Sequence, residues 1–251
     1  MGFFDKLFSG NKDSQVTATT ATTQSNATMT IDMSKHKENL ETVLIDMSKN
    51  GKTNMINHVA RVAIAMDYSG SMSNMFMNGA VQDVITRLLP IALKFDDNGE
   101  LESWLFSEDY ERLDPVTISN YKNYVRNVMM KARMSMGGTN YSPALKDIVK
   151  YYKDKYPSTT PAFIIFITDG DNWDVDATNR VVRELSNYNM FVQFVGIGSG
   201  SSFDYLKSLD DMSGRKHDNT GFIAVRDMNK MDDQQLYTEM LRQYNDWLNK
   251  K

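Results

Sequence analysis

Three nearly uninterrupted runs of apolar residues limit this chain to a small number of architectures. The two strongest are AFIIFIT at residues 162–168 and MFVQFVGI at residues 190–197, and VARVAIAM at residues 59–66 is the third. A strand with one face in water alternates apolar and polar residues, whereas a strand covered on both faces is apolar along its length. The runs therefore predict central strands of a sheet that is covered on both sides.

Segments with helical periodicity lie between these runs. Leu40, Val43, Leu44 and Met47, for example, recur at the i, i+3, i+4, i+7 spacing of an amphipathic helix. Further helices are predicted at residues 81–92, 118–133, 141–152, 203–209 and 236–248, and further strands at 101–106, 110–116 and 221–225. This alternation predicts an α/β fold in which helices cover both faces of a mostly parallel sheet.

The composition changes near residue 32, which divides the chain into three parts. Residues 1–10 form a short amphipathic head, residues 11–31 a flexible linker rich in threonine and serine, and residues 32–251 a folded domain with its core at 59–225. The linker is nearly uncharged and has few apolar side chains, so it cannot offset the entropy lost on ordering.

The head carries an apolar face, because a helix would place Phe3, Phe4, Leu7 and Phe8 on one side. Either this face makes only nonspecific apolar contacts, or residues 1–8 form a peptide that docks on a partner groove or a membrane surface. Both interpretations stay open. No segment approaches the roughly 20 apolar residues that span a bilayer. The N-terminus does not resemble a secretory signal either, so we expect a cytoplasmic protein.

Composition excludes several classes of chemistry. The chain has no cysteine, which rules out disulfides, iron–sulfur clusters and a thiol nucleophile. Its three histidines, His36, His58 and His217, are too scattered for a helical zinc motif. A balance of 32 acidic to 28 basic residues gives no basic stripe for nucleic acid. A metal bound here would therefore be a hard cation held by oxygen ligands.

Three polar loops supply such oxygens. Asp67, Ser69 and Ser71 form the pattern D-x-S-x-S after the first apolar run, Thr139 ends a glycine-rich turn before a helix, and Asp169 follows the run AFIIFIT. Parallel strands end at one edge of a sheet, where we expect all three loops. Each loop alone is typical of a turn or a helix cap. Together, two carboxylates and three hydroxyls suit Mg²⁺ or Mn²⁺.

The three loops resemble a known metal site. The set D-x-S-x-S, Gly138-Thr139 and Thr168-Asp169-Gly170 resembles the metal-ion-dependent adhesion site of von Willebrand factor A (vWA) domains. The resemblance implies a Rossmann-like, doubly wound sheet that is mostly parallel and has one antiparallel edge strand. It also implies a cofactor at the carboxyl edge of that sheet, Mg²⁺ with Mn²⁺ or Ca²⁺ as alternatives.

The same resemblance assigns roles to five side chains. It implies that Ser69, Ser71 and Thr139 are hydroxyl ligands of the metal. Asp67 and Asp169 would act directly or through bound water, and would orient the serines. An open coordination position would take a Glu or Asp carboxylate from a partner protein.

Four stretches narrow the resemblance to one subfamily. GGTNYSPAL at 137–145, ITDGDN at 167–172, FVQFVGIG at 191–198 and LDDMSGRKHDNTGF at 209–222 resemble the TerF-type vWA domain of bacterial tellurium-resistance and stress proteins. We expect no accompanying TerD-like domain, so the resemblance implies a stand-alone version. A cellular role need not follow a shared domain.

We therefore expect a non-enzymatic, metal-dependent module that captures an acidic residue of a partner in a bacterial or phage tellurium-resistance or stress system. One alternative is a Mg²⁺-dependent phosphohydrolase, although Ser69 breaks the D-x-D nucleophile pattern and no histidine lies nearby in the sequence. A scaffold tethered through residues 1–8 is another, and it is compatible with the first. The pattern specifies no oligomeric state.

Residues beside the loops are candidates for partner contacts. Trp173 either contacts a partner or packs over its own loop, and the acidic stretch 171–176 is expected to be solvated, with one acid capping the next helix. Met72, Met75 and Met77 follow the metal loop and are expected to line the partner surface.

Overall fold

The computed structural model describes residues 33–155, 159–170, 172–198, 203–226 and 230–250. The predicted head and linker, and Asp171, lie outside the described residues. The strands are β1 (Arg61–Asp67), β2 (Leu101–Phe106), β3 (Tyr110–Val116), β4 (Ala162–Thr168), β5 (Met190–Ile197) and β6 (Thr220–Val225). The helices are α1 (33–50), α2 (Ser73–Met77), α3 (Ala80–Phe95), α4 (Tyr124–Asn127), α5 (Ser142–Lys155), α6 (Val175–Leu185), α7 (Asp204–Asp210) and α8 (Asp233–Asn249). None of the described helices has the length and apolarity needed to cross a lipid bilayer.

The six strands form one sheet in the order β3-β2-β1-β4-β5-β6. All neighbouring pairs are parallel except β2 and β3, so β3 is an antiparallel edge strand. The predicted α/β class is confirmed: the sheet is Rossmann-like, mostly parallel and carries one antiparallel edge strand. The direction of winding reverses between β1 and β4, and sheets of this kind bind ligands where that reversal occurs.

Two apolar cores lie on opposite faces of the sheet, and β1 contributes to both. Val62, Ile64 and Met66 pack with α1, α3 and α8, whereas Ala63 and Ala65 pack with α5, α6 and α7. Side chains of a strand point alternately to its two sides, so both sets must be apolar. This double burial explains the uninterrupted apolar runs in the sequence.

Helix α1 packs parallel to α8. Near its start, His36 Nδ1 lies 2.6 Å from Asp233 Oδ2, and just beyond its end, Thr53 N–H donates to Asn249 Oδ1 at 2.8 Å. Helix α8 follows the carboxyl end of β6 and runs back along the sheet. Residue 33 therefore joins the domain at the carboxyl edge of the parallel strands.

The single helix predicted at residues 118–133 is wrong. The segment forms two short 3₁₀ turns, at Tyr121–Asn123 and Met129–Lys131, on either side of the one-turn helix α4. The Gln82 side chain from α3 donates to Tyr121 O at 2.6 Å and accepts from Val125 N–H at 3.1 Å. In a continuous helix these two backbone groups would bond to each other. A side-chain amide inserted between them interrupts the helix.

Candidate metal centre

A buried carboxylate lies at the point where the strand order reverses. Residues Met66 and Ile167 are paired in the β1–β4 register, which places Asp67 beside Thr168 at the ends of these strands. Both residues are fully buried. The Thr168 hydroxyl donates to Asp67 Oδ2 at 2.6 Å, and the Ser69 N–H donates to Asp67 Oδ1 at 2.7 Å. Asp67 therefore fixes the turn that carries the serines.

Three oxygen atoms continue outward from this turn. Ser69 Oγ and Ser71 Oγ lie 3.0 Å apart, and the Ser71 hydroxyl donates to Asp169 Oδ1 at 2.9 Å. Ser71 and Asp169 are 98 positions apart in the sequence, and they meet because β1 and β4 are adjacent in the sheet. The structure thus brings four of the five predicted residues, Asp67, Ser69, Ser71 and Asp169, into one hydrogen-bonded group.

The fifth predicted residue, Thr139, lies in the neighbouring loop and is nearly buried. On one side of this loop, Gly70 N–H donates to Gly137 O at 3.0 Å. On the other side, Trp173 N–H donates to Thr139 O at 2.8 Å. The backbone of Thr139 is therefore held between the serine loop and the loop that follows β4.

The turn after β2 also holds the Thr139 loop. The Gly138 N–H donates to Glu108 Oε1 at 3.2 Å, and Asn140 N–H donates to Ser107 O at 2.7 Å. The Asn140 side chain adds a bond to Glu108 O at 3.0 Å. Glu108 was not identified from the sequence, because nothing in a polar turn indicates that its acid accepts a hydrogen bond from a residue 30 positions away.

Asp174 connects the loop after β4 to the start of α5. Its carboxylate accepts from Tyr141 N–H at 3.0 Å and from Ser142 N–H at 2.8 Å. The expectation that an acid in 171–176 caps the following helix is wrong at this position, because the Asp174 side chain makes no capping bond to α6. It satisfies the first amides of α5 instead, since that helix starts beside the same edge.

Tyr141 is another member of this group that the sequence did not reveal. Its ring is fully buried, and its hydroxyl lies 3.2 Å from Thr168 Oγ1 and bonds to Gly170 O. An aromatic residue at the start of an amphipathic helix reads as a core residue. Its hydroxyl nevertheless contacts Thr168, which bonds to Asp67, and so helps to hold Thr168 in place.

Two large side chains on the segments that follow the site loops are exposed. Trp173 is 73% exposed and Met77 is 75% exposed. The Trp173 ring lies so close to Gly138 that a Cβ atom at that glycine would be 2.2 Å from it. Met72 is fully buried and Met75 packs partly against the core, so the expectation that three methionines line the surface is wrong for Met72.

Burial governs the charge state of the two acids. It raises the pKa of the Asp67 carboxyl to about 6, against the hydrogen bonds from Thr168 and Ser69, and the negative charge of Asp169 adds to the rise. Burial also raises the pKa of Asp169, opposed by the Ser71 hydroxyl. Within the described residues, no lysine or arginine forms an ion pair with Asp67. A cation at this place would offset the cost of charging both groups.

A protein-family model supplies an independent comparison with this geometry. Residues 59–251 match the model of a vWA domain found at the C terminus of TerF, which covers the sheet, all three loops and the helices after them. The chain belongs to the TerF-like vWA family. The matched region begins just before β1, so it leaves out helix α1.

Relatives of this TerF-like vWA chain support the same assignment. The protein YcbR of Bacillus subtilis (strain 168) is 36% identical over 221 residues, which cover 87% of this chain and 86% of YcbR. Because that alignment extends over most of both chains, the similarity includes residues outside the matched domain.

Solved structures share the fold at low sequence identity. The mussel byssus protein PTMP1, solved with a zinc-occupied metal-ion-dependent adhesion site, has a TM-score of 0.53 and 14% identity, covering 74% of this chain and 48% of that one. The manganese-loaded TRAP protein of Plasmodium vivax has a TM-score of 0.50 and 17% identity, covering 67% and 70%. The TerF-like vWA chain thus spans about half of the PTMP1 chain.

Proposed function

We propose that this vWA domain is a protein-interaction module that works through a bound divalent cation. The Ser69, Ser71 and Thr139 hydroxyls bind Mg²⁺, with Mn²⁺ or Ca²⁺ as alternatives, and Asp67 and Asp169 act directly or through bound water. A partner protein completes the coordination with a Glu or Asp carboxylate. The bound ion supplies a positive charge that attracts this carboxylate.

The single observation that carries the proposal is the spacing of the oxygen atoms Ser69 Oγ, Ser71 Oγ and Asp169 Oδ1, at 3.0 and 2.9 Å. Oxygen ligands of Mg²⁺ lie 2.0–2.1 Å from the ion in an octahedron, so neighbouring ligands are about 2.9–3.0 Å apart. The two separations are hydrogen-bond distances in this structure, and they are also compatible with an edge of that octahedron. The residues therefore fit a hard divalent cation.

The charges of the site favour an acceptor for an anion. Hydroxyl ligands are neutral, so two carboxylates at most neutralise a divalent cation. Asp67 already accepts bonds from Thr168 and from the Ser69 amide, which leaves less of its charge for the ion. A cation with few anionic protein ligands remains electrophilic and attracts a further carboxylate.

The metal-bearing relatives add support. PTMP1 carries zinc at its adhesion motif and the TRAP protein carries manganese, and both share the fold of this chain. Among the described residues, no three His, Cys, Asp or Glu side chains are grouped as a metal site. We therefore assign the metal to the mixed set of hydroxyls and carboxylates, and expect a hard cation in the cell.

We propose a non-enzymatic role. His58 and His217 precede β1 and β6 and so lie at the opposite edge of the sheet, and His36 is bonded to Asp233. A phosphohydrolase at this site would therefore have to use a carboxylate in place of a histidine as its base. Turnover of phosphate esters with Mg²⁺ or Mn²⁺ that disappears in Asp67→Asn would favour the enzyme instead.

A differential capture experiment tests the module. Immobilised wild-type protein is expected to retain a partner from extract of its host in Mg²⁺ and to release it in EDTA. Asp67→Ala and Thr139→Ala are expected to retain none, while each variant keeps its circular dichroism spectrum. Ser73→Ala, which changes a serine just after the loop, serves as the matched control. Retention that is equal in EDTA and in both variants contradicts the proposal.

A second proposal concerns the head at residues 1–10 and the linker at 11–31. Helix α1 begins at the carboxyl edge of the sheet, because His36 contacts Asp233 at the start of α8. The linker therefore joins the domain at the edge that holds the candidate metal centre. We propose that the head docks on a complex or a membrane surface and that the linker tethers the domain to it.

Sedimentation with vesicles and with captured partner tests the tether. Protein lacking residues 1–10 is expected to stay in solution where the full chain sediments, with unchanged Mn²⁺ affinity. Equal sedimentation of both proteins would reject the tether and leave the metal module untouched. The TerF-like vWA domain supports our proposal of a role in a bacterial or phage tellurium-resistance or stress-response system. We propose a cytoplasmic location for the protein.

A further inference from the structure

We propose that Asp174 is a positioning residue of the metal centre. Together with the backbone of Trp173, it fixes the distance between the loop that carries Thr139 and the loop that carries Asp169. The inference rests on the proposed function, because it assigns to Asp174 the relative placement of two of the metal-binding side chains.

The Asp174 carboxylate bridges two segments of the chain. At the start of α5 it accepts hydrogen bonds from the Tyr141 and Ser142 amides at 3.0 and 2.8 Å. From its own side it accepts Asn172 Nδ2 at 2.6 Å and the Thr178 hydroxyl at 3.1 Å. Asn172 and Thr178 are buried, so the carboxylate stands on a rigid base. Four donors from two segments make it a fixed link between them.

A second bond lies parallel to this link. Trp173 N–H donates to Thr139 O at 2.8 Å. Trp173 comes one residue before Asp174, and Thr139 comes two residues before Tyr141. On its far side, the same loop is bonded to the serine loop through Gly70 N–H and Gly137 O. Movement of Thr139 away from the segment that follows β4 would therefore break the bonds made by Trp173 and Asp174.

The carboxylate stays charged under ordinary conditions. Although burial opposes ionisation, hydrogen bonds from Ser142, Asn172 and Tyr141 hold the pKa of Asp174 below its usual value. Asp174 thus differs from Asp67, whose pKa burial raises. A charged acceptor at the first amides of α5 gives a strong link, because charged hydrogen bonds are about twice as strong as neutral ones.

Asp174 also carries a negative charge near the centre, which by itself would attract a cation. Asp176 separates this effect from positioning: it is an exposed acid two residues further along, and in the described part of the chain it makes no bond to the Thr139 loop. Replacing either acid removes one negative charge. Only the change at Asp174 removes hydrogen bonds to the segment that follows Thr139.

Titration with Mn²⁺, followed by electron paramagnetic resonance of the free ion, tests the inference in the full chain. Asp174→Ala is expected to raise the dissociation constant about tenfold to a hundredfold, as loss of a residue that orients metal ligands does. Asp174→Asn keeps the volume and one acceptor oxygen, so it is expected to recover part of the affinity. Asp176→Ala is expected to change it by about twofold or less, since an exposed charge is screened by salt.

Folding and positioning are separated by measuring thermal unfolding of each variant in EDTA and titrating well below the transition. Should Asp174→Ala fail to fold, the comparison of Asp174→Asn with Asp176→Asn replaces it. Equal dissociation constants for the Asp174 and Asp176 variants would overturn the positioning role while the metal site stands. Wild-type protein that binds no Mn²⁺ would overturn the proposed function as well.

Discussion

The hydroxyl of Thr168 donates to Asp67 Oδ2 at 2.6 Å between two fully buried side chains at the ends of β1 and β4. This bond joins the two strands at which the sheet reverses its order. Without a bound cation, the buried Asp67 carboxylate is stabilised mainly by hydrogen bonds. Its burial therefore destabilises the metal-free protein.

Replacing that carboxylate is expected to stabilise the metal-free protein at neutral pH. The pKa of Asp67 is about 6 in the folded state against an ordinary value of 3.8. Between these values the folded state binds more protons than the unfolded state, so the stability falls as pH rises from about 4 to about 6. A difference of about two units corresponds to about 3 kcal/mol. Asp67→Asn is expected to remove this decline and to be the more stable protein at pH 7 in EDTA.

Urea unfolding of both proteins at several pH values between 4 and 8 measures this effect. Asp109→Asn, at an exposed residue of the same edge, is the control and is expected to keep the wild-type pH dependence. Parallel pH profiles for wild type and Asp67→Asn would contradict the burial argument. Asp67→Asn is also expected to lose Mn²⁺ binding. That result would show that the carboxylate that destabilises the metal-free protein is needed to bind the metal.

Removing the middle hydroxyl of the oxygen chain should weaken metal binding without unfolding the protein. Ser71 is exposed and links Ser69 to Asp169. Ser71→Ala is expected to raise the Mn²⁺ dissociation constant at least about tenfold, a loss of about 1.4 kcal/mol, and to lower the stability by less than about 0.5 kcal/mol. Isothermal titration calorimetry measures the first and urea unfolding the second. Ser73→Ala makes the same chemical change and should leave the affinity as it is; equal affinities for the two variants would remove Ser71 from the ligand set.

A methyl group at Gly138 is expected to displace the Trp173 indole. The added carbon would lie 2.2 Å from the ring, which is 73% exposed and therefore free to swing outward. The change in tryptophan fluorescence between wild type and Gly138→Ala measures this, with a stability loss of about 1 kcal/mol or less. Gly170→Ala, whose Cβ would meet nothing within 4 Å, is the control. If Gly138→Ala leaves the fluorescence unchanged even though Trp173→Phe alters it, the ring does not cover Gly138.

A buried ion pair joins α3 to the start of α8, which also contacts α1 through His36. Arg87 Nε donates to Asp233 Oδ1 at 2.9 Å, with side chains only 6% and 9% exposed. Asp233→Asn leaves this guanidinium without its buried counter-charge and is expected to cost about 3 kcal/mol. Asp83→Asn removes an acid 3.9 Å from the same arginine but 43% exposed, and should cost less than about 1 kcal/mol. Equal urea midpoints for the two variants would show that the buried Arg87–Asp233 pair contributes no more to stability than the exposed Arg87–Asp83 pair.

The strand positions could be predicted from the sequence because a strand that is buried on both faces is a continuous run of apolar residues. Five parallel strands and the β2–β3 hairpin lie within two residues of their predicted places. The helix predicted at 118–133 failed for a reason that no local pattern contains. Its buried residues do have helical spacing, yet the Gln82 side chain from α3 occupies the hydrogen-bonding groups on which continuity depends.

Loop chemistry divides in the same way. The residue types Asp67, Ser69, Ser71, Thr139 and Asp169 are legible in the sequence because each follows a strand or precedes a helix. The residues that hold those loops together, Glu108, Tyr141 and Asp174, look ordinary in the sequence. They act on partners about 30 residues away, and such distances are closed only by the order of the strands.

By itself, then, the sequence determined the α/β class and the edge of the sheet that bears the oxygens. Those properties depend on the type of each residue and its near neighbours. The tertiary structure decided which oxygens lie 3 Å apart, which carboxylate is buried, and which acid caps which helix. Such contacts form between segments that are distant in the chain, so they exist only when the sheet has brought β1, β2 and β4 side by side.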